Sequence, residues 1–250
     1  MLPLIALIAA SPGILTVRCD RSPAKVILSY NPDATTTGFI RAGVLQDGRV
    51  ISSRETGRWV EGGLSKTNDQ RLREAIERSH SIASGRRWSG RTPDGPTYKI
   101  VFCDSTNSRE YVIHGLLEPT SGPFHEEVER VRAKVPTALV DLIDLLLRAP
   151  LERSAPFVPT EGFTVALQRG HVPDDILCDW PTGWPFPSDA NEIQPGPYDV
   201  DTRYRVALEA TQAAAIREWS MRCPSRWVKI RHRSLFVVFD LAIGGYSPGR

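Results

Sequence analysis

The sequence predicts an α+β protein, two related units of antiparallel strands packed with helices. Three observations predict it. Short β-branched and aromatic runs alternate with Asn, Asp, Gly and Pro turns, amphipathic stretches at helical spacing interrupt them, and the order strand, helix, hairpin is seen twice along the 250 residues. The first unit covers 24–150 and the second 151–250, with 1–23 set apart as a signal peptide or a disordered N-terminus.

Lys25 to Tyr30 forms the first strand, and Asn31 to Gly38 (NPDATTTG) turns the chain with Asn, Pro, Asp and Gly. Gly38 to Gln46 and Arg49 to Ser53 flank Asp47-Gly48, which reads as a two-residue hairpin turn because both residues tolerate positive φ. Arg58 to Glu61 adds a short strand before Gly62-Gly63. Thr67 to Gln70 has the form of a capping box and starts a helix. Its stripe is Leu72, Ala75, Ile76, Ser79 and Ala83, with Arg73–Glu77 and Glu74–Arg78 able to pair on the wet face and Gly85 as the stop. Arg86 to Pro96 is a loop. Tyr98 to Cys103 and Glu110 to His114 make a second hairpin across DSTNSR. Pro136 suits the first turn of a helix with a stripe of Leu139, Ile143, Leu146 and Leu147, and Pro150 ends it.

Beyond Leu151 the texture changes. Gly162 to Gln168 is a strand, whereas Arg169 to Pro197 has no period and is rich in Pro, Gly, Trp and Asp, so it is a functional loop or hides an element. Arg203 to Leu208 is a strand, and Glu209 to Arg222 is a helix with Ala214, Ile216, Trp219 and Met221 among its apolar positions. Arg226 to His232 and Leu235 to Ile243 form the last hairpin. YKIVFCDSTNSREYVIHGLLEP and WVKIRHRSLFVVFDLAIGGYSP both place two apolar strands after a helix and close on Gly and Pro. Two divergent copies of one unit, or two common hairpins alike by chance, give this pattern.

Composition bounds the function. At 41% hydrophobic the chain buries a sizeable core, and 31 Lys+Arg against 29 Asp+Glu gives no bulk field for a nucleic-acid or membrane partner. Lys occurs only at 25, 66, 99, 134 and 229, an Arg bias that codon composition explains as readily as anion recognition. Cys19, Cys103, Cys178 and Cys223 include no CxxC pair, and their disulfide state stays open. Leu2 to Ala10 has the apolarity of a short signal-peptide core with cleavage near Ala10 or Ser11, but no basic residue precedes it and Pro3, Pro12 and Gly13 break the segment. It is too short to cross a bilayer. Secreted and cytoplasmic locations both remain open, as does the oligomeric state.

No motif assembles an active site. His125 to Glu129 (HEEVE) misses the second imidazole of a HExxH zinc helix, and the histidines at 80, 114, 125, 171 and 232 are scattered. Gly62 to Thr67 (GGLSKT) lacks the spacing of a phosphate-binding loop. No catalytic residue, cofactor or metal is therefore assigned. Trp180, Trp184 and Phe186 in DWPTGWPFP are the protein-binding candidates: prolines lower the entropy lost on binding, and aromatic anchors supply contact area. As anchors these rings stand exposed; as core plugs they are buried. RWVKIRHR, Arg226 to Arg233, is the one basic patch with an aromatic. Alternation puts Trp227, Lys229, Arg231 and Arg233 on one face, as a nucleic-acid alternative, and sends Val228 and Ile230 into the core.

Gly38-Phe39, the strand lead Asp47 to Val50 (DGRV), Leu64-Ser65 before an Arg- and Glu-rich helix, the Tyr98-x-Ile100-x-Phe102 strand and the Leu-rich helix opened by Pro136 form a pattern. It resembles the emfourin-type small proteins, metalloprotease inhibitors of the protealysin class, and uncharacterised bacterial relatives. The resemblance covers about 24–148, rests on general strand and turn signals, and transfers no inhibitory residue by position. It implies a binding module directed at a peptidase. The expectation is thus a non-catalytic protein-binding module, with peptidase inhibition as its specific form. The alternatives are a hydrolase whose site forms under the 169–197 loop from His171, Asp174, Asp175 or Cys178, and weak nucleic-acid binding through 226–233.

Overall fold

A computed structural model describes residues 24–31, 39–55, 58–90, 95–103, 108–118, 121–157, 163–170, 173–184, 192–194, 203–208, 212–230 and 233–241. The leader segment at 1–23 lies outside them. In chain order come β1 (Ala24–Asn31), β2 (Phe39–Leu45), β3 (Val50–Glu55), β4 (Arg58–Leu64), α1 (Lys66–Ser79), β5 (Arg87–Ser89), β6 (Thr97–Cys103), β7 (Ser108–His114), α2 (His125–Arg132), α3 (Thr137–Arg148) and β8 (Leu151–Pro156). Their strands form one eight-stranded sheet in the order β5-β7-β6-β1-β2-β3-β4-β8, antiparallel at each pair except β5 with β7. Next come β9 (Phe163–Gly170), a 3-10 turn (Asp174–Ile176), β10 (Leu177–Asp179), β11 (Glu192–Gln194), β12 (Arg203–Leu208), α4 (Ala213–Arg222), β13 (Trp227–Ile230) and β14 (Arg233–Leu241). They give a six-stranded sheet, β10-β13-β14-β9-β12-β11, with β10 parallel to β13. The fold is α+β and sheet-dominated.

Strand alternation sorts the first sheet onto two cores. Val26, Leu28, Val50, Tyr98, Ile100 and Phe102 join Leu72 of α1, Val131 of α2 and Leu139, Ile143 and Leu146 of α3. Ile27, Ile51, Val101 and Cys103 point the other way, into a cluster completed by Trp184, Ile216, Trp219, Cys223, Val228, Ile230 and Leu235 from the second part. The helices are tied across their rims by Arg78 to Asp141 at 2.9 Å and by Arg132, which grips Asp144 and donates to the Leu117 carbonyl at 2.8 Å.

Several local expectations change. The hairpin turn is a three-residue loop: the Gly48 amide bonds the Leu45 carbonyl and only Gly48 takes positive φ (90°), while Asp47 accepts from the Arg49 amide. A type I turn followed by a left-handed glycine uses Asp-Gly one position later than the two-residue form. Helix α1 is capped by Ser65, whose hydroxyl accepts from the Asn68 amide, so Thr67 sits inside the first turn. It ends at Ser79 well before Gly85, because the Tyr111 hydroxyl donates to the carbonyls of Ser79 and Ile82 and the Ser79 hydroxyl returns to Ala75. Arg73 pairs with Asp69 and Arg78 with Asp141, in place of the expected helix-face pairs.

Gly62 lies in β4, where a Cβ would come within 2.9 Å of the Glu152 carbonyl. Its missing side chain lets β8 close against β4. That strand was not foreseen, and it places Leu151–Pro156 in the first sheet. The 169–197 stretch likewise holds β10, β11 and the 3-10 turn. Strand, helix, hairpin does occur twice, but the wiring differs. Hairpin β6–β7 joins its sheet through its first strand, on β1, whereas β13–β14 joins through its second, on β9. The two units share an order of elements without a common strand topology.

Candidate functional site

Pro173 fixes the backbone at the start of the Asp174–Ile176 turn, and β10 follows it onto β13 with Leu177, Cys178 and Asp179 opposite Trp227, Val228 and Lys229. Three further ties hold this segment. The Ser225 hydroxyl donates to the Ile176 carbonyl at 2.6 Å, the Trp219 indole donates to the Asp179 carbonyl at 3.2 Å, and Cys178 is disulfide-bonded to Cys223 with Cα atoms 5.9 Å apart. Each tie ends between Trp219 and Lys229, so 174–179 is pinned to the corner between α4 and β13. Closing a loop of 45 residues restricts the unfolded chain by about 4 kcal/mol on a chain-entropy argument.

Behind the brace, the Trp180 and Trp184 rings meet edge to face at 5.4 Å, and Trp184 lies 5.9 Å from Trp219. Trp184 is only 8% exposed and belongs to the core cluster, and Trp180 is half-buried against it. Trp184 is thus a buried core ring, since an indole flanked by two others gains more from the apolar layer than from water, and Trp180 is half-buried beside it. Phe186 lies outside the described residues. The apolar side chains that do face solvent here are Ile176, 39% exposed, and Met221, 70% exposed, each two residues before one half of the disulfide. Sequence reading missed Ile176. The sequence reading set Met221 among the apolar positions of this helix; the structure buries Ile216, Trp219 and the C-cap Cys223 and leaves Met221 exposed.

Comparison with protein-family models, with curated proteins and with solved structures finds no match.

Val228 and Ile230 are buried as alternation requires, with Trp227 half-buried and Lys229 exposed on the other face. Lys229 pairs with Asp174 at 3.3 Å, and Asp175 and Asp179 are exposed nearby in the chain. Arg231 and the side chain of Arg233 lie outside the described residues. Carboxylates beside the described part of the patch oppose a phosphate backbone. Of the residues named for a hydrolase, Cys178 is consumed in the disulfide, Asp174 and Asp175 stand on the surface, and His171 lies outside the described residues. Among the described residues no group of three or more His, Cys, Asp or Glu is placed to hold a metal ion, and no helix is long and apolar enough to cross a membrane.

A second polar cluster was not foreseen. The register of β1 against β2 slips between Leu28 and Ser29, which pair with Ala42 and Ile40 and leave Arg41 as the extra residue of a bulge. The Arg41 guanidinium sits 4.9 Å from the Tyr30 ring centre and forms an ion pair with Glu118, which also accepts from the buried Tyr98 hydroxyl at 3.2 Å. Burial, and then the Glu118 charge, hold the Tyr98 phenol far above its ordinary value, and burial raises that of Tyr111 too. The cluster is charge-compensated within itself and clamps the segment after β7 to the sheet end.

Two outcomes follow. Trp184→Ala should lower stability by about 3 to 5 kcal/mol in equilibrium denaturation, as truncation of a core ring does. For Tyr98, the fold keeps the phenol protonated while the unfolded chain ionises from about pH 10, so stability is intact below that pH and falls as pH rises through it. Tyr98→Phe should flatten that fall by one proton, measured as unfolding free energy between about pH 9 and 11.

Proposed function

We propose that this chain is a protein-binding module of an oxidising compartment, and that the pinned turn at Asp174–Ile176 with Met221 is its contact surface. Peptidase inhibition is the specific form. The observation that carries the reading is the exposed Ile176 on a turn held by a hydrogen bond, a parallel strand pair and a disulfide. A surface fixed before binding loses little conformational entropy when a partner arrives, which is how rigid inhibitory loops gain affinity. The oxidised cysteines support the compartment: Cys178 and Cys223 pair, and Cys103 is in a further disulfide whose other half lies outside the described residues.

The edges of the first sheet favour contact through side chains over added strands. Edge strand β8 is exposed along Glu152 to Pro156, carries Glu152 and Arg153, and is bulged where Arg153 takes a φ of 51°. Bulges and charges blunt an edge against pairing with another chain. At the opposite end β5 offers three residues, Arg87–Ser89.

Purified chain should inhibit one class in a panel of metallo-, serine and cysteine endopeptidases. Ile176→Asp should weaken that inhibition by about tenfold or more with an unchanged unfolding midpoint. No inhibition of any class removes the peptidase form of the reading, and full inhibition by Ile176→Asp moves the surface elsewhere.

A further inference from the structure

We propose that the Cys178–Cys223 disulfide is a reversible latch, opened by a dithiol reductant, that frees the Asp174–Asp179 segment from the α4–β13 corner. The two cysteines are unequally exposed. Cys178 is partly exposed on the edge strand β10, whereas Cys223, at the end of α4, is 1% exposed. Exchange therefore has one open face. A thiolate of the reductant attacks Sγ of Cys178; a new S–S bond forms as the Cys178–Cys223 bond breaks, and Cys223 departs with the electron pair. The reductant's second thiol, deprotonated by solvent, attacks the mixed disulfide and expels the Cys178 thiolate. Both protein thiolates then take protons from water. The cysteine pair gains two electrons and two protons, and the reductant is left as a disulfide.

The corner accommodates the reduced state. Sγ of Cys223 lies 3.8 Å from the Trp227 carbonyl and 3.7 Å from the Ser225 hydroxyl oxygen, so a thiol there has acceptors within reach without rearrangement of α4. What remains to hold 174–179 is modest: a three-residue parallel ladder, the Ser225 and Trp219 hydrogen bonds, and an exposed Lys229–Asp174 pair of small worth, while Trp184 stays in the core cluster. No strand of the first sheet pairs with β10, and the Trp184 ring that helps cover that sheet lies beyond the freed residues. Cys103, the last residue of β6, is itself buried, so its disulfide is shielded on that side. Opening is thus local and selective. As a control on binding, the latch rests on the reading of this segment as the contact surface; as a structural device it stands apart from it.

The full chain, without any partner, is equilibrated in dithiol buffers from oxidising to strongly reducing, then alkylated for peptide mass analysis and followed by amide hydrogen exchange. Cys178 and Cys223 should become alkylated while Cys103 stays protected, with exchange across 174–179 faster by about tenfold or more, far-UV circular dichroism unchanged and reoxidation restoring the start. The double variant Cys178→Ser, Cys223→Ser should show the faster exchange without reductant. Labelling of 178 and 223 only together with Cys103 and loss of dichroism overturns the latch. Labelling without faster exchange at 174–179, or slow exchange in the double variant, overturns it as well. Because no peptidase enters these measurements, their failure and the failure of the inhibitory reading are separate results.

Discussion

Strands β1 and β6 lie side by side and are buried on both faces, and the rest of the molecule is arranged to cover them. Ile27 and Leu28 are neighbours in sequence and fully buried, yet they enter different cores. A strand in that position needs an apolar layer on each side, because an uncovered face would leave a broad apolar patch in water. Helices α1, α2 and α3 supply one layer. The second sheet with α4 and the tryptophan corner supplies the other. The corner is accordingly part of the core as well as the support of a surface.

This double role explains why the Trp-rich loop misleads when read as sequence. A stretch with Trp, Pro and Gly and no period has the composition of a contact loop, and it also has the composition of a plug over an irregular gap. Burial decides, and burial is a property of the far-apart elements that Trp184 meets, Trp219 above all. Once the rings are inside, the exposed part of the segment is the turn before them. Rigidity there comes from a disulfide, a serine hydroxyl and a short strand pair.

Local chemistry made much of the fold legible. Strand β12 begins and ends at the residues its pattern predicts, Val228 and Ile230 face inward as alternation requires, and Pro136 directly precedes α3. The failures share a cause in contacts distant along the chain. Tyr111 ends α1 early from 29 and 32 residues away. Arg41 meets Glu118 across 77 residues, through a bulge that no periodicity announces. Strand β8 has no alternation to detect, since it is exposed almost throughout, and what makes it a strand is the space left by Gly62. The pairing of Cys178 with Cys223 is of the same kind, set by the register of β10 on β13 rather than by spacing.

One sheet shared between two cores implies that the oxidised protein unfolds as a unit. Four of the six tryptophans, at 180, 184, 219 and 227, report the second part by fluorescence, while far-UV circular dichroism reports chiefly α1 and α3. The direct test is urea unfolding of the oxidised chain and of Ile27→Ala followed by both signals. Coincident transitions that move together to lower urea in the variant, by about 2 to 5 kcal/mol, are the predicted result. A fluorescence transition that shifts alone, leaving the dichroism transition in place, would contradict the shared sheet.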